Sequence, residues 1–263
     1  MEYLVEDIEI LKDVVNIKLK SNMHLICHKI HAVAFANYYI SVGKYISNEY
    51  LLKILEESKY YNLKDEVIKK LKNKDYTRGE IIIFLEDKLD EYSIDRMIKD
   101  LEKNNYINDY NYLKKVFELA NNKLKGKNYI KKYLENKYLD EKLLDSFFVN
   151  FKENELANKL VKGELNKLKG KYSKQAILSK ISYKLNYNGF SEFVIQDIID
   201  GLQYLKFNNN EEIIVKECKK YLKKYENKLE NNDLMRKVIE TLVAKGYNYK
   251  SVKTIIEGMI NDD

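Results

Sequence analysis

The sequence predicts a mainly α-helical protein, tandem three-helix repeats in an elongated curved array, with a small β-strand module at the N-terminus. Three observations predict it. Proline is absent from all 263 residues, so long helices meet no covalent breaker. Apolar residues recur at helical spacing from Ser47 onward, whereas only residues 3–27 alternate in the manner of strands. A helix–turn–helix pattern then returns four times along the chain.

Taken in order, Ile8 and Ile10, then Val15, Ile17 and Leu19, face one way, with Lys18 and Lys20 opposite. Lys12-Asp13 and Ser21-Asn22 punctuate this run. The expectation is a meander of three short antiparallel strands, the last near Met23–Cys27, and no strand beyond about residue 28. A helix follows over Lys29–Tyr39, and Ile40–Gly43 forms its exit turn. Ser47 caps the next helix, whose apolar stripe is Leu51, Leu52, Ile54 and Leu55. Thr77 followed by Glu80 is a capping box, in which hydroxyl and carboxylate each satisfy the other's backbone amide. Ser93, Ser191 and Asn232 are expected to cap further helices. The Asn105–Asp109 turn closes one helix and opens the next, and Lys125-Gly126-Lys127 breaks that one, glycine tolerating a left-handed turn.

The repeats align on Leu85, Leu134, Leu185 and Leu242, each near the end of a first helix. The turns Lys88-Leu89, Lys137-Tyr138-Leu139, Asn188-Gly189-Phe190 and Lys245-Gly246-Tyr247 follow. Ile94, Leu144, Ile195 and Val252 come next, with Ile98, Phe148, Ile199 and Ile256 one turn later. Gly246 is expected in a left-handed conformation, and Leu89 and Tyr138 at the matching places in a different turn. Helical pairs cannot bury their apolar faces alone and stack on neighbours. The expected organisation is a β-rich module over 1–46, repeats over 47–122, 123–168 and 169–224, and a partial repeat over 225–263.

Of the 47 basic residues, 44 are lysine, and the net charge is +6. Residues 123–188 carry 16 basic and 7 acidic groups, so the whole excess sits mid-chain, as a phosphate-facing surface requires. Three clusters stand out: Lys125, Lys127, Lys131 and Lys132 with Tyr129; Lys169 and Lys171 around Gly170; and Lys219, Lys220, Lys223 and Lys224. Tyr129 and Tyr133 are placed to stack on bases or to pack. The sequence holds no P-loop, GxGxxG, GxSxG or HExxH, so it is read as no enzyme and as needing no cofactor. His24, Cys27, His28 and His31 would share a helical face, but a strand-to-helix passage scatters them, and no second ligand cluster completes a tetrahedral site. No metal is therefore assigned. Two lone cysteines, an acidic N-terminus and the absence of any long apolar run point to a cytoplasmic, membrane-free chain.

Several short motifs carry a family resemblance. Tyr106-Ile107-Asn108-Asp109 is similar to a Gly-Tyr-(Leu/Ile)-Asp-Asp signature, with Asn at the first acidic place. Leu124-Lys125-Gly126-Lys127, then Ile130, Leu134 and the turn at Lys137, resemble a Gly-x-x-x-Ile-x-x-x-Leu-x-x-Lys-Gly segment. Lys245-Gly246-Tyr247 keeps its last part more closely. The family is RecX, the regulator of the RecA recombinase, in its long form with an N-terminal extension. The resemblance implies a non-catalytic monomer that docks along the RecA–DNA filament and damps its ATPase and strand exchange in recombination, DNA repair and the SOS response. RecA and the phosphates of single-stranded and double-stranded DNA are its implied partners. A sequence-independent nucleic-acid-binding repeat protein, or a helical scaffold without a recombinase, are the alternative readings.

Overall fold

The computed structural model describes residues 2–21, 24–169, 171–204 and 210–261. The chain is 66% helical, with thirteen helices and one four-stranded sheet among the described residues. It divides into two compact units, Met1–Tyr112 with Asn136–Asp140, and Leu113–Glu135 with Glu141–Asp263.

In the first unit, β1 (Glu2–Ile10), β2 (Val14–Ser21), β3 (His24–His31) and β4 (Tyr45–Ser47) form an antiparallel sheet in the order β3-β2-β1-β4. Its buried face presents Tyr3, Val5, Val15, Ile17, Leu19 and Ile30. These meet Ala34 of α1 (Ala32–Ala36) and Leu51 and Ile54 of α2 (Asn48–Asn73). The alternation of β2 is as expected. That of β1 is not, because an irregularity between Val5 and Asp7 resets its register and leaves Ile10 69% exposed. Three further expectations are corrected. β3 runs on through His31, so the following helix is only five residues long. β4 pairs with β1 well beyond residue 28. Leu52 is exposed, while Ser47 caps α2 as expected, its hydroxyl accepting the Tyr50 amide at 3.1 Å.

α3 (Arg78–Leu85) and α4 (Glu91–Lys103) pack Ile81, Leu85, Met97, Ile98 and Leu101 against Tyr60 and Val67 of α2. The Thr77–Glu80 capping box is complete. α4 opens earlier than Ser93, at an Asp90 cap whose carboxylate accepts the Ser93 amide at 2.9 Å. An aspartate offers a full negative charge to the helix N-terminus, which a serine does not. Asn105 is left-handed at φ +57°, and the Asn108 side chain accepts the Asn111 amide to start α5 (Asp109–Asn122).

The second unit contains most of α5, then α6 (Lys127–Leu134), α7 (Glu141–Val149), α8 (Glu153–Leu168), α9 (Lys174–Tyr187), α10 (Glu192–Gln203), α11 (Asn210–Tyr225), α12 (Asn231–Ala244) and α13 (Tyr249–Asn261). One core joins α8, α9 and α10 through Leu156, Val161, Ile177, Ile181, Leu185, Val194 and Ile198. Another joins α11, α12 and α13 through Ile214, Cys218, Val238, Leu242, Val252 and Ile256. Each long helix therefore packs with the pair that follows it. Leu85, Leu134, Leu185 and Leu242 are all buried, as the alignment requires. α12 begins at Asn231 behind a Glu230 cap, two residues before the expected Asn232 cap.

A single joint recurs three times and explains the Lys-Gly pattern. A turn containing a left-handed residue seats on the N-terminus of a helix. In the first unit, Thr77 Oγ1 donates to Lys137 O at 2.5 Å, Lys137 pairs with Glu80, and Tyr138 abuts Gly79. In the second unit, Gly126 donates its amide to Asn188 O at 2.9 Å and Asn128 donates to Gly189 O at 2.8 Å. There too, Ser173 Oγ donates to Gly246 O at 2.5 Å. The left-handed residues are Tyr138, Gly189 and Gly246, at φ +49°, +74° and +82°. Gly246 is thus as expected and Tyr138 is not: it adopts the glycine conformation despite its side chain. Leu89 does take a different turn. Gly126 is also corrected. The left-handed residue ending α5 is Leu124, at φ +50°, while Gly126 is extended and needed for space, because a Cβ there would lie 2.2 Å from Phe190 Cα.

Candidate nucleic-acid interface

The lysines singled out from sequence fall into two physical groups. Lys125 and Lys127 are half-buried and hold the joint at the start of α6. Lys125 Nζ donates to Asn188 Oδ1 at 2.8 Å and stands 5.0 Å from the Tyr129 ring centre and 5.4 Å from that of Tyr187. Contacts of this kind contribute about 0.5–1 kcal/mol each when exposed. Lys127 lies 5.2 Å from the Phe148 ring centre, and its backbone amide donates to Glu153. Lys131 and Lys132, one turn on, are exposed, as are Lys169 and Lys171. Gly170, between the latter two, lies outside the described residues. Lys219, Lys220, Lys223 and Lys224 are exposed on α11, with Lys220 3.7 Å from Glu217 and Lys224 beside the Tyr221 and Tyr225 rings.

Tyr129 is half-buried, with its backbone against Gly189 and its ring beside Lys125. It packs at a joint. Tyr133 is 48% exposed.

α9 connects these groups. Its C-terminal end meets the first cluster, where Lys125 lies by Tyr187 and Asn188. Its N-terminal end follows Lys171 and Tyr172, and Lys245 lies 5.5 Å from the Tyr172 ring and 4.8 Å from that of Tyr221 on α11. Lys245 is also paired with the buried Glu217. Burial opposes its charge, but Glu217 and Tyr221 outweigh that and hold its pKa above the ordinary lysine value. At 14 residues, α9 spans about 21 Å. From Leu165 to Ser191 the chain has six lysines and no acidic residue, a finer signal than the regional charge surplus.

Two acidic residues that carry no local sequence signature serve the architecture. Glu153, 8% exposed, accepts the Lys127 amide at 2.7 Å and the Ser191 amide and hydroxyl at 2.9 and 2.8 Å, tying α6, α8 and α10 together. Ser191 therefore spends its hydroxyl on Glu153, not on capping α10. Glu217, buried on α11, instead pairs its carboxylate with the Lys245 ammonium at the end of α12. The histidines scatter: His24 is exposed, and the His31 ring stacks on Tyr61, accepts the Val33 amide and meets Asp65 at 3.2 Å. Among the described residues no group of three or more His, Cys, Asp or Glu is placed to hold a metal, and no helix is long and apolar enough to cross a membrane.

Repeated three-helix packing with lysines and tyrosines displayed along it defines a basic helical-repeat protein. Comparison with known proteins shows what the chain is similar to. The chain is 28% identical over 186 residues to the regulatory protein RecX of Streptococcus agalactiae (strain A909), covering 70% of this chain and 72% of that one. It is 25% identical over 225 residues to the RecX of Streptococcus gordonii, covering 84% and 86%. A crystal structure of regulatory protein RecX superposes with a TM-score of 0.55 at 20% identity, over 74% of this chain and 99% of that one, which speaks to the fold. A family model described as the FtsX extracellular domain matches residues 78–172. That window is 95 of the 263 residues and stops before α9, leaving out the sheet, α2 and the last five helices. The resemblance to RecX, carried by motifs on both sides of that window's end, is borne out over most of the chain.

Proposed function

We propose that this chain is a non-catalytic regulator that binds the RecA–DNA filament and damps its ATP hydrolysis and strand exchange. The observation that carries the reading is the similarity to proteins named regulatory protein RecX across 70–84% of the chain. The surface chemistry supports it. Lys131, Lys132, Lys169 and Lys171 are exposed and free to meet phosphates, while Lys125 and Lys127 hold the fold. A filament offers both phosphates and acidic protein surface, and lysine favours either.

The test is co-sedimentation with RecA filaments from the same organism. Wild type pellets with the filament. A variant with Lys131, Lys132, Lys169 and Lys171 all replaced by Gln needs several-fold more protein, and its salt slope falls by about 0.7–0.9 for each phosphate that is no longer neutralised. Equal pelleting of the two proteins places the binding surface elsewhere. A folded wild type that stays in the supernatant overturns the reading.

A further inference from the structure

α9 carries a stripe distinct from the three lysine clusters. Lys180, Tyr183, Lys184 and Tyr187 fall at i, i+3, i+4 and i+7, one face of the helix, away from the buried Ile177, Leu178, Ile181 and Leu185. Tyr183 and Tyr187 are 72% and 69% exposed. Their rings lie nearly parallel, 20° apart in plane with centres 6.4 Å apart. Lys184 Nζ stands 6.0 Å and Lys125 Nζ 5.4 Å from the Tyr187 ring centre. Tyr221 and Tyr225 on α11 show the ordinary fate of the same spacing: they too stack, but half-buried against the core of α11, α12 and α13. The α9 pair faces solvent.

We propose that this stripe binds single-stranded nucleic acid, with successive bases stacked on Tyr183 and Tyr187 and the phosphates held by Lys180 and Lys184. Open aromatic faces set among lysines are what a single strand engages, because every base has a π-face and every nucleotide a phosphate. A duplex hides its base faces. An acidic protein surface would account for the lysines but leave two parallel exposed rings without a use. No acidic residue lies between Leu165 and Ser191 to repel the backbone, and lysines stand at both ends of α9, Lys171 before it and Lys125 beside Tyr187. The inference deepens the proposed function by naming the strand the protein touches. Its test contains no recombinase, so failure here and failure of filament binding are separate results.

The experiment titrates the full chain into a fluorescent oligothymidylate of about 15 nucleotides and follows anisotropy at several salt concentrations. Wild type binds. Tyr183→Ala and Tyr187→Ala each weaken binding by roughly tenfold and leave the salt slope unchanged. Tyr187→Phe, which keeps the ring, binds as wild type does, whereas Tyr187→Leu, which keeps only apolar bulk, does not. Lys180→Gln with Lys184→Gln lowers the slope by about 0.7 per phosphate. An abasic strand of the same length binds wild type no better than thymidylate binds the double Tyr→Ala variant. The proposal is overturned if wild type fails to bind thymidylate or prefers duplex, if the abasic strand binds equally, or if Leu serves as well as Phe.

Discussion

Replacing Gly126 by alanine tests the repeat joint. Gly126 is extended, so alanine meets no left-handed penalty, and beyond the smaller loss of a good N-cap residue the effect comes from space. Its Cβ would lie 2.2 Å from Phe190 Cα, 2.4 Å from Phe190 N and 2.5 Å from Gly189 O, all backbone atoms without a rotamer to escape by. The turn must withdraw. Withdrawal strains or breaks the bonds from Gly126, Asn128 and Tyr129 to Asn188 O and Gly189 O. At about 0.5–1.5 kcal/mol each, and with half-buried Lys125 partly uncoupled from Asn188, the loss is about 2–4 kcal/mol. Gly163 is the internal control: it sits inside α8 with nothing within 4 Å of an added Cβ. Alanine there should stabilise by about 0.5–1 kcal/mol through helix propensity alone. Urea melts followed by circular dichroism read both variants, and opposite shifts of the midpoint are expected. If Gly126→Ala melts with wild type, the close approach does not hold the repeats together.

Two further substitutions probe buried polar groups. The Tyr247 hydroxyl is buried with no hydrogen-bond partner among the described residues, and burial pushes its pKa up to about 12. Tyr247→Phe removes an unpaired polar group and should stabilise by up to about 1 kcal/mol in the same urea melts; a clear loss would mean that the hydroxyl is satisfied in solution. Burial raises the Asp109 pKa despite the Arg78 backbone amide that its carboxylate accepts, and Glu102 and Glu80 add to the rise. A raised carboxylate pKa means that the folded state holds the proton more tightly. This contribution is fully present below the ordinary carboxylate value and lost as pH rises through the raised one. Asp109→Asn keeps a neutral acceptor for Arg78 and should gain on wild type between about pH 4 and pH 7. Thermal melts with the same offset at both pH values would refute this.

Much of the fold is legible because it is local. The capping box at Thr77 and Glu80 needs only four consecutive residues, and Leu85, Leu134, Leu185 and Leu242 declare the repeat by spacing alone. What escapes is non-local. β4 is three residues long and exists because Glu2, Tyr3 and Leu4 offer an edge to Tyr45, Ile46 and Ser47, which no local pattern announces. Gly126 reads as a helix breaker from sequence, yet its reason is Phe190, 64 positions away. Tyr138 keeps a left-handed turn that sequence would reserve for glycine, because its turn is fastened to Thr77, Gly79 and Glu80. The candidate surface is half legible. A charge count finds the basic stretch but cannot separate Lys125, spent on Asn188 and two rings, from exposed Lys131 and Lys132. Nor does it notice Tyr183 and Tyr187, whose meaning depends on which face of α9 the core takes.

The central proposal is that this chain restrains a RecA filament without chemistry of its own. ATP hydrolysis by RecA from the same organism on single-stranded DNA, measured against increasing wild-type protein, tests it most directly. Hydrolysis should fall with added protein, and the inhibition should weaken as salt rises, since phosphate contacts release counterions. Unchanged hydrolysis at every concentration of a properly folded chain would contradict the account.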